Sequence, residues 1–139
     1  MDSLDMAGHL IRRLHQQSTL VFVQQTQAAG FDVTAVQFAA LDAIQSHPGV
    51  DQARVAEMIA YDRATIGGVV DRLEQKGWIR RVVKERDRRA RELSLTGEGE
   101  RVWTALLPIV RDLQAQILEP LSSADRASFL RLIRLAVRP

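Results

Sequence analysis

The sequence predicts a mainly α-helical fold with one small β-hairpin, and three features of the chain support this fold class. Apolar residues recur at helical spacing in six segments. The stretch at residues 78–95 instead has β-branched residues and alternation around a polar tip, which is typical of a hairpin. Basic residues are concentrated nearby, since nine of the nineteen lie between Arg72 and Arg91. Such a cluster favours a polyanionic partner.

The first two helices are predicted from apolar spacing and from signals at their ends. The first covers residues 3–29 and stops at Gly30. Thr34, with Gln37 three residues on, forms a capping-box pattern that starts the second helix. That helix ends at His47-Pro48-Gly49. The apolar positions of the pair are Leu10, Ile11, Leu14, Val21, Phe22, Phe38, Leu41 and Ile44.

The third and fourth helices form a closely packed pair. The third begins near Asp51, the turn lies at residues 61–62, and the fourth helix covers residues 63–76. Ala56 is small enough for the two helices to approach each other, and Ile66 fills the core between them. Gly77 closes the fourth helix as a left-handed residue.

The hairpin and two further helices complete the chain. Strands are predicted at residues 78–84 and 91–95, with residues 85–90 as an exposed loop. Thr96 caps a long helix that reaches about residue 119 and is bent or interrupted near Pro108. Ser122, with Asp125 three residues on, starts the last helix.

The order helix, helix, hairpin is that of a winged helix-turn-helix. In this fold the second helix enters the major groove of DNA and the hairpin tip reaches the adjacent minor groove. The alternative is an ordinary helical hairpin followed by a solvated basic loop. The residues expected to read base edges lie at the start of the fourth helix: Asp62, Arg63, Ala64, Thr65, Gly67, Gly68 and Arg72.

The predicted organisation is one compact domain with two functional parts. Residues 31–96 form the winged DNA-binding lobe, and residues 1–30 and 97–139 form a helical dimerisation region. Apolar rows on the terminal helices would expose too much apolar surface on a monomer, which favours a homodimer. The alternative is that these helices pack within one chain.

Several short motifs resemble the MarR family of bacterial transcriptional regulators. They are VAEMIA, VVDRLEQKGWIRR, DRR and LSLTGEG, with VTAVQFAAL as a looser match. The resemblance covers nearly the whole chain and implies a dimeric repressor on a near-palindromic operator. It also implies that Arg89 enters the minor groove and that Asp87 holds Arg89 in place. A narrow A·T-rich minor groove favours an inserted guanidinium because it concentrates negative potential. Arg86, Arg88 and Arg91 would then contact phosphates.

Gly67 and Gly68 depart from the family, whose members usually carry polar side chains there. Each glycine costs roughly 1 kcal/mol inside a helix. Either the glycines allow the backbone to approach the duplex closely, or they are a tolerated weak point. If they contact no bases, Arg63, Thr65 and Arg72 carry more of the recognition.

A second cluster on the first helix suits a small aromatic acid. It combines cationic and histidine side chains with apolar ones: His9, Arg12, Arg13, His15, Thr19, Phe22 and, from the second helix, Phe38. In the resembled family a cavity near the dimer helices binds aromatic carboxylates and weakens DNA binding. The stretches HLIRRLHQQSTLVF and AYDRATIGGVVDRLEQKGW resemble the branch that responds to hydroxynicotinate. The alternative is that these side chains make only dimer contacts.

Other classes of function lack the residues they need. The chain has no cysteine, which excludes disulfides, thiolate metal sites and thiol-based redox sensing. His9, His15 and His47 have no metal-motif spacing, so we expect no cofactor, no metal and no enzyme. Without a signal-peptide pattern or an apolar run of membrane length, a cytoplasmic protein is expected. A DNA-binding protein without an effector, regulatory or architectural, and a protein–protein adaptor are the alternatives.

Overall fold

The computed structural model describes residues 2–84 and 87–138, and only the backbone of residues 84 and 87–90. Six α-helices and three strands follow one another along this part of the chain. A short 3-10 helix at Ser3–Asp5 precedes them. The elements are α1 (Ala7–Ala28), α2 (Ala35–Ser46), β1 (Val50–Asp51), α3 (Gln52–Met58), α4 (Ile66–Gln75), β2 (Ile79–Lys84), β3 (Asp87–Leu95), α5 (Gly97–Ile117) and α6 (Ser123–Ala136).

The strands form an antiparallel sheet in the order β1-β3-β2. β2 pairs with β3 from Ile79 opposite Leu95 to Lys84 opposite Asp87. β1 pairs with the far edge of β3, with Val50 opposite Leu93, and was not predicted because two residues carry no alternation. The predicted start of the second strand at residue 91 is also wrong, because β3 begins at Asp87. Pairing with β2 supplies its backbone hydrogen bonds whatever the polarity of its side chains.

The starts of α2 and α6 follow the predicted capping residues, whereas α1 begins at Ala7 instead of residue 3. The Thr34 hydroxyl accepts from the Gln37 N–H at 3.1 Å, and the Gln37 side chain accepts from the Thr34 N–H at 3.2 Å. Ser122 accepts from the Asp125 N–H at 3.1 Å. The winged lobe and α6 therefore begin where local side-chain chemistry satisfies the free N–H groups of a helix end.

The fourth helix, α4, begins later than predicted, at Ile66 instead of residue 63. Asp62 holds the preceding residues in a turn, because its carboxylate accepts from the Ala64 N–H at 3.1 Å and its carbonyl from the Thr65 N–H at 3.1 Å. At the other end Gly77 has φ +77, as predicted. The Trp78 N–H donates to the Leu73 carbonyl at 3.1 Å, which completes the left-handed cap.

Pro108 lies inside α5, which continues from Gly97 to Ile117. The predicted interruption is therefore wrong, and the alternative, a bend near Pro108, stays a prediction. Leu106 and Leu113 are buried on either side of the proline. Their packing against the core holds the helix together where local propensity alone would end it.

The core lies between α2, α4, β3 and α5. Its fully buried side chains include Leu41, Ile44, Leu73, Leu93 and Leu106. In contrast, α6 has no buried residue, and α1 buries only Phe22 and Thr26. The terminal helices therefore present much of their apolar surface to the outside. Within the described residues, no helix has the length and hydropathy that a membrane crossing requires.

Candidate DNA interface and effector site

The first turns of α4 form an exposed face, because the apolar residues of this helix all point the other way. Ile66, Val69, Val70 and Leu73 are buried against the core. The predicted base-reading residues lie on the opposite side and are exposed or half-buried, with Gly67 the half-buried one: Arg63, Ala64, Thr65, Gly67, Gly68 and Arg72. The fold thus leaves these residues at the surface, while the apolar side of α4 packs against the core.

Neither glycine of α4 is required by the fold. A Cβ built at Gly68 meets no atom within 4 Å, and one at Gly67 meets only the Gln52 Nε2 atom at 3.4 Å. Neither residue has a positive φ. Alanine would therefore fit at Gly68, although glycine costs about 1 kcal/mol there by helix propensity. The chain has a bare stretch of backbone on its exposed recognition face that its own packing does not explain.

The basic cluster divides into structural and exposed members. The Lys76 ammonium donates to the Gln37 side chain at 3.1 Å and to the Asp32 carbonyl, and lies 4.6 Å from the Trp78 ring centroid. Arg81 is largely buried beneath α4. By contrast, Arg72, Arg80 and Arg91 are exposed. These exposed arginines are the described members of the cluster that can meet phosphates.

The wing tip carries the residues on which the resemblance relies most. Arg86 lies outside the described residues, as do the side chains of Asp87, Arg88 and Arg89. Their predicted roles in the minor groove and at phosphates stay predictions. The backbone of β3 begins at Asp87, and Arg91 is the first residue of β3 whose side chain is described. The Arg91 side chain is exposed.

The predicted effector residues lie in separate places in the protomer. Phe22 and Phe38 are buried, and their ring centroids are 6.4 Å apart. Their rings therefore pack in the core of the protomer, and their place in the effector site stays a prediction. The Arg12 Nη2 atom lies 3.4 Å from His9 Nδ1 on the outer side of α1. Thr19 is exposed farther along the same helix.

His15 and Arg13 line two adjoining clefts between α1, the end of α5 and α6. The cleft with His15 has a volume of about 460 Å³ and also contains Ser18, Gln114 and Arg126. The cleft with Arg13 has a volume of about 380 Å³. Leu14, Ile117, Leu118 and Phe129 line both clefts, so the two form a continuous apolar groove with few polar groups.

Arg126 has a structural role in this groove. Its Nε atom donates to two carbonyl oxygens that follow the end of α5, that of Leu118 at 3.1 Å and that of Leu121 at 3.0 Å. Arg13 and His15 are the other basic side chains that line the two clefts. Sequence reasoning missed Ser18, Gln114 and Arg126. Ser18 follows His15 at helical spacing, but the other two come from helices whose placement depends on tertiary packing.

Comparisons with known proteins agree with this architecture. The model of the MarR family matches residues 31–90. The HTH-type transcriptional repressor NicR of Pseudomonas putida is 32% identical over 133 residues, which cover 96% of this chain and 83% of NicR.

Two solved structures are similar over almost their full length. The PcaV transcriptional regulator of Streptomyces coelicolor, in complex with its natural ligand, has a TM-score of 0.86 at 35% identity and covers 98% of this chain and 94% of its own. BpsR of Bordetella bronchiseptica is a protein whose DNA binding is regulated by 6-hydroxynicotinic acid. Its structure has a TM-score of 0.87 at 26% identity, and the match covers 98% of this chain and 96% of BpsR.

Proposed function

The chain belongs to the MarR family of transcriptional regulators, and we propose that it acts as a homodimeric repressor that leaves its operator when a small aromatic acid binds. The observation that carries this proposal is the exposed recognition face of α4 next to a basic hairpin, on a protomer whose terminal helices are largely unburied. The DNA-binding lobe is residues 31–96, and the dimerisation region is residues 1–30 and 97–139.

Dimerisation is supported by the apolar residues that the terminal helices expose. Ile11 is 65% exposed on α1, and Leu132 and Leu135 are 54% and 74% exposed on α6. A second copy that covers these side chains would remove a large apolar surface from water, at roughly 25 cal/mol per Å². Two-fold symmetry would also set two α4 helices at a fixed spacing, as a near-palindromic operator requires.

DNA recognition is proposed to combine the α4 face with the wing. Arg63, Thr65 and Arg72 would read base edges, while Ala64 and the backbone at Gly67 and Gly68 lie against the duplex. Arg86, Arg88 and Arg91 would contact phosphates. Arg89, held in place by Asp87, would enter the minor groove.

The proposed effector is a small aromatic carboxylate. Support comes from BpsR, whose DNA binding is regulated by 6-hydroxynicotinic acid, and from PcaV, whose structure contains its natural ligand. In this chain the groove next to α1 offers an apolar wall with His15 and Arg13 at its edge, and its larger cleft is in the size range of small-molecule sites. An arginine and a histidine would bind the carboxylate, and the apolar wall would bind the ring.

Closure of the dimer would complete the site, with His9, Arg12 and Thr19 on the outer side of α1 as further contacts to the ligand or to the partner copy. The ligand would release the operator only if it binds more tightly to a dimer whose winged lobes no longer match the operator spacing. A cytoplasmic location follows from this function.

The experiment that tests this function is fluorescence-anisotropy binding to the DNA upstream of the protein's own gene, with and without a panel of aromatic carboxylates that includes hydroxynicotinates. A selective regulator prefers one near-palindrome over random duplex by about 10³-fold or more. Release of the operator by one compound would support the proposal that an aromatic acid is the effector. Selective binding that no compound disturbs would favour a regulator without an effector, and binding without selectivity an architectural protein.

A further inference from the structure

Arg81 is a charged residue on the inner face of the hairpin. In the β2–β3 register it lies opposite Leu93, which is fully buried. Residues opposite each other share a face of the sheet, so the Arg81 side chain lies on the core side, whereas its neighbours Arg80 and Val82 point outward and are exposed. The Arg81 side chain is only 15% exposed. An arginine at such a position needs carboxylate partners.

Those partners come from the recognition helix. The Arg81 guanidinium donates through Nη2 to the Asp71 carboxylate, and its Nε atom lies 3.8 Å from the Glu74 Oε2 atom. Asp71 and Glu74 are one turn apart on α4, and their side chains are 58% and 47% exposed. One largely buried cation on β2 therefore faces two exposed carboxylates on α4. The contact joins the wing directly to the helix that carries the base-reading face.

We propose that Arg81 is a positioning residue for DNA binding, which fixes the angle between the wing and α4 through Asp71. Arg81 has too little exposed surface to serve phosphates, although it belongs to the basic cluster by sequence. The proposal rests on the proposed function, because it concerns how the two DNA-binding elements are held for one operator. Simultaneous contacts in adjacent grooves require such a fixed geometry, since a misplaced wing would lose its contacts whenever α4 is bound.

Loss of the Asp71 charge should change operator affinity in the direction opposite to the one that simple electrostatics predicts. Asp71→Asn removes a negative charge from an exposed position next to the DNA-facing surface, which by charge alone should tighten binding to a polyanion. We expect it instead to weaken operator binding by roughly threefold to thirtyfold, a factor within the range of couplings between contacting residues. The matched control is Glu57→Gln, since Glu57 pairs only with Arg54 within α3 among the described contacts, at 3.1 Å. Glu57→Gln should leave operator affinity unchanged or tighten it.

A double-mutant cycle separates positioning from direct contact. Arg81→Met keeps most of the buried stem and removes the guanidinium, and it should weaken operator binding at least as much as Asp71→Asn. If the two residues act as one link, the double variant binds no more weakly than Arg81→Met. Losses that add would mean that Asp71 contacts DNA itself, and this would overturn the proposal, as would an Asp71→Asn variant that binds as tightly as the wild type or more tightly.

All variants are measured well below the unfolding temperature that circular dichroism gives for each. Should Arg81→Met not fold, Asp71→Asn and Glu74→Gln break the same contacts from the exposed side of α4 and still decide the question. Glu74→Gln is expected to weaken binding less than Asp71→Asn, because Glu74 is the more distant partner. Failure of the proposed function is distinguishable, since the wild-type protein itself would then show no preference for its operator.

Discussion

The backbone carbonyl of Trp78 occupies the space in which a side chain at Gly99 would begin. A Cβ built at Gly99 would lie 2.8 Å from the Trp78 carbonyl carbon, and closer still to its oxygen. The same carbonyl accepts from the Thr96 N–H at 3.0 Å, and the Thr96 hydroxyl donates to the Gly77 carbonyl at 2.5 Å. The first turn of α5 is thus packed directly on the end of α4 and the start of β2. This junction joins the long terminal helix to both DNA-binding elements.

Gly99→Ala should therefore disturb the junction. We expect the variant to lose about 1–3 kcal/mol of unfolding free energy, as overpacked cores do, because a backbone carbonyl cannot move aside as a flexible side chain can. Gly97→Ala is the matched control, since a Cβ there meets only the Arg101 side chain at 3.9 Å. Chemical denaturation of both variants measures the difference. Equal stability of the two would mean that the junction adjusts at no cost.

Gly68→Ala should change stability and DNA binding in opposite directions. Because nothing lies within 4 Å of a Cβ at Gly68, the variant should gain about 0.5–1 kcal/mol of stability from helix propensity. If the backbone at Gly68 lies against the duplex, operator affinity should fall despite this gain. Gly8→Ala, at an open position of α1, is the control for propensity alone. Fluorescence anisotropy measures operator affinity and thermal unfolding measures stability on the same samples. Unchanged operator affinity would mean that Gly68 is only a tolerated weak point of the helix.

The parts of the fold that sequence predicts well are those determined by neighbouring residues. The Thr34 capping box, the Gly77 cap and the Ser122 start of α6 follow from side chains that satisfy nearby backbone groups. The start of β3 at Asp87 depends instead on pairing with β2, and the continuity of α5 through Pro108 depends on core packing. Neither of these can be derived from local pattern.

The candidate site shows the same division. The exposed face of α4 follows from its apolar stripe, so its residues could be named from the sequence. The internal roles of Lys76 and Arg81 could not, because charge alone does not reveal which cations face carboxylates or carbonyls across the fold. Burial of Phe22 and Phe38 was likewise hidden, since an aromatic at helical spacing fits a core as well as a ligand site.

Arg91→Ala should weaken binding to all duplexes by a similar factor. Arg91 is exposed on β3, and an arginine that meets one phosphate contributes to affinity through counterion release. The slope of log affinity against log salt should become shallower by about one. Arg101→Ala is the control, because Arg101 is exposed on α5 and pairs with Glu98 at 2.6 Å. Anisotropy titrations over a range of salt concentrations measure the slope, and an unchanged slope would exclude the phosphate contact.

Arg13→Ala and His15→Ala should uncouple the response to effector from binding to DNA. Both residues line the groove between α1 and the end of α5, away from the α4 face, so operator affinity in the absence of effector should stay at the wild-type value. The concentration of aromatic acid needed for release should rise about tenfold or more, because a charge-assisted hydrogen bond to the carboxylate is lost. Gln16→Ala is the control, since Gln16 is exposed on α1 and lines neither cleft. Sedimentation analysis of each variant provides the decisive check. If the dimer dissociates after either substitution, the substituted residue is a contact between the two copies and does not bind the effector.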